Sequence, residues 1–111
     1  MQFQGQGGGA GSVAPTAVND TGNATAGGSD EFYDVLSNDV GTVPLVLSNV
    51  SIFSGGGVAV ARGGPIRLTP PATPQTVEID YDAENLFGSD TGRLTVTVQA
   101  ATPPTAIDDN E

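Results

Sequence analysis

In GRLTVTVQ (Gly92 to Gln99), Leu94, Val96 and Val98 alternate with Thr95, Thr97 and Gln99. TVEIDYD (Thr76 to Asp82) repeats the pattern, with Val77, Ile79 and Tyr81 on one side and Glu78, Asp80 and Asp82 on the other. A period of two sends successive side chains to opposite faces, so each stretch reads as a strand with one apolar face. The intervening AENLFGSDT is rich in turn residues, which suits an antiparallel pair. Such a pair cannot hide its apolar face alone and needs a second layer.

Weaker strand signals supply that layer. PTAVND (Pro15 to Asp20) opens the set and EFYDVLS (Glu31 to Ser37) follows. PLVLSNVSIF (Pro44 to Phe53) is long and changes phase near Ser48, the mark of a bulge or bend. GVAVA (Gly57 to Ala61) and PIRLT (Pro65 to Thr69) flank RGG, a hairpin signal. No window supports a helix, because glycine and proline break every apolar stripe. The expected fold is all-β: an immunoglobulin-like β-sandwich of about seven antiparallel strands, with a partly open barrel as the alternative. Cysteine and tryptophan are both absent, so there is no disulfide, no thiolate metal site and no packed indole.

Charge narrows the function classes. Thirteen acids face three arginines with no lysine or histidine, a net charge of −10. Nucleic-acid binding needs a basic face and is excluded, and anionic membrane surfaces would repel the chain. No apolar run approaches the roughly 18 residues of a membrane span, so insertion is not expected. Divalent cations are the natural counterions. Without histidine, cysteine or lysine the common catalytic bases and nucleophile partners are missing, and no enzyme is expected. Asp80 and Asp82 have the spacing of paired carboxylates, but on a flat strand face they read as solvated. The runs GGG at 7–9 and 55–57 lack the Lys-Ser/Thr pair of a phosphate loop and read as linker and turn. Sequons at Asn19, Asn23 and Asn49 read as accidental.

The motif PTAVND returns as PTAIDD at Pro104 to Asp109, 89 residues after Pro15. That step divides the chain into a glycine-rich flexible leader (1–14), one repeat (15–103) and the opening of the next (104–111). In the same order stand VLSND (Val35 to Asp39), GGGVAV, PIRLTPP, LTVTV and PPTAIDD. Together these motifs resemble the tandem Ig-like, or cadherin-like, repeats of large bacterial surface adhesins and secreted repeat proteins. The resemblance implies an extracellular, monomeric spacer whose partners are neighbouring repeats in the same chain. It also implies calcium as a stiffener at the junctions.

In an Ig-like sandwich the incoming chain and the loops joining strands two to three and six to seven share one pole. Those segments carry Asn19 and Asp20, then Asn38 and Asp39, then Asp82, Glu84 and Asp90, while Asp108 and Asp109 would serve the following junction. Calcium takes six to eight oxygens, which converging acids and amides can supply. The candidate metal ligands are therefore Asp20, Asp39, Asp82, Glu84 and Asp90. The competing reading is polar loop chemistry, with Asn38 bonding its own turn. Phe87 is the candidate for a second class of function, contact with a glycan or protein ligand; it also suits a plug between neighbouring repeats.

Overall fold

The computed structural model describes residues 13–101, and all statements of structure concern these. Seven strands form and no helix does: β1 (Asp20–Thr25), β2 (Glu31–Tyr33), β3 (Val46–Ser54), β4 (Val58–Ala61), β5 (Ile66–Thr69), β6 (Gln75–Asn85) and β7 (Gly88–Gln99). They make two sheets, one in the order β1-β7-β6-β3 and one in the order β2-β5-β4. Both sheets feed a single apolar cluster. Ile66 and Leu68 from the smaller sheet meet Val77, Ile79, Tyr81, Leu94 and Val96 from the larger one.

The two periodic stretches are the longest strands and form the longest ladder, from Gln75 opposite Val98 to Asn85 opposite Gly88. Val77, Ile79, Tyr81 and Ala83 are buried while Glu78, Asp80, Asp82 and Glu84 are half-exposed, as a period of two requires. The ladder runs further than the turn-rich residues suggested. AENLFGSDT is mostly strand, and only Leu86 and Phe87 stand between β6 and β7. The phase change in β3 is a bulge between Ser48 and Ser51, where Asn49 takes a left-handed φ of 53°. Asparagine accepts that conformation more readily than most residues.

Two expectations are corrected. The first strand is not PTAVND but the following DTGNAT, and the expected second strand stops at Tyr33, ahead of a turn through Val35–Asn38. Antiparallel pairing also fails in one place: β1 pairs with β7 in parallel, Asp20 beside Leu94 through Thr25 beside Gln99. The reason lies in where the chain runs. Val13 lies beside the β6–β7 turn, held by the side chain of Asn85. Ala26 meets the far end of β7, its amide donating to Gln99 at 2.8 Å. The segment before β1 thus starts at one pole, termed the head, and β7 finishes at the other, the tail. Two adjacent strands that both travel from head to tail must be parallel.

Candidate functional site

Residues 13–19 lie along the head half of the molecule with little strand pairing of their own. Thr16 and Val40 exchange backbone bonds of 2.7 and 3.0 Å. Side chains satisfy most of the rest. Asp90 Oδ2 accepts from the Ala17 amide at 2.8 Å, and Asp39 Oδ1 accepts from the Val18 amide at 2.8 Å. Asn19 Oδ1 accepts from the Arg93 amide at 3.0 Å. Asn85 Nδ2 donates to the carbonyls of Val13 at 2.7 Å and Thr42 at 3.0 Å. Carboxylates and amides along this largely exposed segment take the backbone bonds that a neighbour strand would otherwise make.

Tyr81 is the centre of this arrangement. It is fully buried, and its hydroxyl reaches Asp20 Oδ2, Asp39 Oδ2 and the Val18 carbonyl, each at 3.2 Å. The Val35 carbonyl stands at 3.5 Å. A phenol carries one proton, so it donates to one of these acceptors at a time. Burial, and then the charges of Asp39 and Asp20, push the Tyr81 hydroxyl far above its ordinary range. Burial also raises the Asp20 carboxyl, against the hydrogen bonds from Asn38 and Tyr81 that favour its charge. Asn38 Nδ2 donates to Asp20 Oδ1 at 2.7 Å, so this residue ties two segments together and does not merely close its own turn.

Small residues make room for the aromatic rings. A Cβ at Gly92, directly opposite Tyr81, would stand 2.6 Å from its hydroxyl oxygen and 2.9 Å from Ala17 Cβ. A Cβ at Gly22 would stand 2.5 Å from Tyr33 Cε1. Tyr33 in turn donates to the Asn23 carbonyl at 2.6 Å, which joins β2 of one sheet to β1 of the other.

The five candidate metal ligands do not converge. Asp20 and Asp39 share the Tyr81 hydroxyl, and Asp90 lies on the same inner side, occupied by Ala17. Asp82 and Glu84 are not loop residues: they sit in β6 and alternate with buried Tyr81 and Ala83, so they point to the opposite face of the sheet. There Asp82 accepts from Thr91 at 2.6 Å and Asn49 at 2.8 Å, and these two bonds hold its carboxyl below the usual range. Glu84 accepts from Ser48 at 2.7 Å. Among the described residues no three acidic or imidazole or thiol groups gather as a metal set would. Asp108 and Asp109 lie outside the described residues.

The outer face of the larger sheet carries a second group. Arg93 donates to Asp80 through Nε at 2.7 Å and Nη2 at 3.3 Å, and its guanidinium lies 3.9 Å from the centroid of Phe53. Asp80 and Asp82 are therefore each engaged by a different partner on an open strand face. Phe87 is half-exposed at the head pole, beside Leu86. Tyr81 and Asn85 are the residues that sequence reading missed. The signal for Tyr81 was present, as the largest side chain on the apolar side of the second-clearest strand.

No family model matches the chain, and no curated protein matches it in sequence. Solved structures share its fold, two of them from one organism. One is a candidate alpha-galactosidase from Bacteroides fragilis, with a TM-score of 0.58 and 14% identity. The other is a candidate alpha-galactosidase/melibiase from the same organism, with a TM-score of 0.58 and 17% identity. Each match covers 78% of this chain but 18% of the neighbour, so the chain spans under a fifth of those proteins. At such identities the likeness is one of fold.

Proposed function

We propose that this chain is an Ig-like β-sandwich serving as a spacer in a tandem array, in a bacterial cell-surface or secreted adhesin. The observation that carries the reading is polarity. The segment leading into β1 sits at the head pole and β7 ends at the tail pole, so units joined in series extend in one direction. The return of PTAVND as PTAIDD fits such a series, and each unit would have its own core. The parent open reading frame tests the reading. Further units with the same motif order, at a similar period, are expected on at least one side; a parent without them overturns it.

Calcium carries no step of this reading. The ion needs six to eight oxygens. The inner side offers two carboxylates, a hydroxyl and two carbonyls around Tyr81, with Asp20 Oδ1 and Asp39 Oδ1 already bonded to Asn38 and Val18. The remaining candidates are turned away or occupied.

One observation favours a second reading, a module that binds a glycan or protein through its sheet face. Phe53 is 61% exposed on the outer face beside Arg93 and a row of acids. Phe87 adds an aromatic at the head pole. Glycan-array binding lost on Phe53→Ala or Phe87→Ala would favour this module over the spacer.

A further inference from the structure

The head pole is largely apolar and open. Leu86 is 93% exposed and Val43 79% exposed, Val46 and Phe87 are exposed as well, and a shallow pocket opens among their chain neighbours. Pro44, Val46, Glu84, Asn85 and Leu86 line it, with Glu84 bonded to Ser48. Exposed apolar residues grouped at one end of a molecule mark a contact site, while scattered ones do not. The tail pole differs in kind but matches in charge. It is built from AGGSD (26–30), SGGG (54–57), PPATP (70–74) and the end of β7, and Asp30, paired with Arg67 at 3.6 Å, is the one charged residue among them. At the head, VGTVPL (40–45) and NLFG (85–88) are uncharged, while Asp34 and Asp39 lie in the first half of the β2–β3 connection, Asp39 bonded to the Val18 amide and the Tyr81 hydroxyl. In a chain with thirteen acids, the stretches 40–45 and 85–88 at the head and most of the tail connections carry no charge, while β6 alone carries four acids along its side. Depletion of charge is what the centre of a protein interface requires.

We propose that the head pole is the seat for the tail pole of a preceding copy of this unit, closed by apolar contact around Val43, Leu86 and Phe87. The proposal rests on the tandem reading and adds the surface and the way it closes. The spacing of the repeated motif supplies the geometry. Matching Pro104 to Pro15 places Thr102 at the position of Val13, whose carbonyl is bound by Thr42 and Asn85. The amides that this segment donates are those of residues 13, 16, 17 and 18. Their counterparts Thr102, Thr105, Ala106 and Ile107 all keep an amide, and the prolines fall at 103 and 104, matching Ala14 and Pro15. A following unit could therefore take up PTAIDD as this one takes up PTAVND. Its first bonded residue would come three residues after Gln99, the last of β7. Three residues span at most about 10 Å, too little to hold two poles apart.

The test is a two-unit chain: this chain through Asp109, followed directly by Thr21 to Glu111 of a second copy. NMR relaxation should show both units turning as one body, with a rotational correlation time at least roughly twofold that of the single chain. Val43→Asp with Leu86→Asp in the second unit should return each unit to nearly the single-chain value. The same pair in the first unit, whose head pole meets no neighbour, should leave the coupling intact and so controls for folding. Independent tumbling of two folded units overturns the interface and leaves the spacer reading standing. A second unit that fails to fold onto PTAIDD overturns the repeat itself. Equal effects of the substitutions in either unit overturn the assignment of this pole.

Discussion

Tyr81 Oη lies 3.2 Å from Asp39 Oδ2, while the other oxygen of Asp39 holds the Val18 amide at 2.8 Å. One carboxylate thus fastens the segment before β1 to the core of the larger sheet. Tyr81→Phe keeps the ring and its packing but removes the only proton shared among Asp20, Asp39 and two carbonyls. Losing a donor in a buried polar group costs about 1–3 kcal/mol. The expected result is a melting temperature several degrees lower at neutral pH. An unchanged melt would show that the hydroxyl contributes nothing to holding this segment.

Two carboxyls shift in opposite directions, so their contributions to stability have opposite pH dependence. Asp20 has a folded pKa raised above its ordinary 3.8, chiefly by burial. Its contribution is fully present below that ordinary value and is lost as pH rises through the folded one. Asp82 has a folded pKa lowered from 3.8 by its bonds to Thr91 and Asn49. Its contribution is present above 3.8 and lost as pH falls through the folded value. Denaturant unfolding from neutral pH to acid should separate them. Relative to Asp20→Asn, the natural protein gains stability as pH falls towards about 4. Relative to Asp82→Asn, it holds an advantage at neutral pH that disappears in stronger acid. Parallel curves for either pair would remove that carboxyl from the account.

Gly92 is where the backbone of β7 approaches Tyr81 too closely for a side chain. Gly92→Ala would set a Cβ 2.6 Å from the phenolic oxygen and 2.9 Å from Ala17 Cβ, so either the ring or the segment must move. Overpacking of this kind costs about 1–3 kcal/mol. Gly64→Ala is the control, since nothing lies within 4 Å of its added Cβ. A surface change of that sort is expected within about 0.5 kcal/mol of neutral. Equal melting temperatures for the two variants would contradict the packing described at Gly92.

The strands legible in the sequence are those whose side chains alternate against a core. β6 and β7 are clear from Val77, Ile79, Tyr81 and from Leu94, Val96, Val98, and the bulge in β3 is visible in its change of phase. PTAVND misled because it is paired only at Thr16 and Asp20: the amides of Ala17 and Val18 go to Asp90 and Asp39, and a propensity pattern cannot distinguish a carboxylate acceptor from a strand neighbour. The loop assigned to AENLFGSDT failed for the converse reason. Glycine, asparagine and acids are turn residues by composition, yet the ladder continues because Ala83 and Gly92 keep the inner face small beside Tyr81. The same stretch supplied Glu84 and Asp90 to the candidate metal ligands. Glu84 is free to converge with Asp39 only on the reading of AENLFGSDT as a loop, and Asp82 only as the last residue of the strand before it. Continuing the alternation of Val77, Ile79 and Tyr81 by one step, to Ala83, turns Glu84 outward with Asp82.

Asp39 allows the metal question to be decided by separating two costs. If its role is to hold the Val18 amide and the Tyr81 hydroxyl, Asp39→Ala lowers the melting temperature by the same several degrees with millimolar calcium or with chelator. The loss reflects two hydrogen bonds to a charged carboxylate, about 1–3 kcal/mol, and the ion does not enter it. The natural protein is likewise expected to melt at one temperature in both buffers. Ligand binding to the folded state alone would instead raise stability with concentration, by about 2.7 kcal/mol at a hundredfold excess over the dissociation constant. A clear rise with calcium that Asp39→Ala abolishes would mean that the carboxylates around Tyr81 rearrange to take the ion. Asp39 would then be a metal ligand, and its bonds to Val18 and Tyr81 would belong only to the ion-free protein.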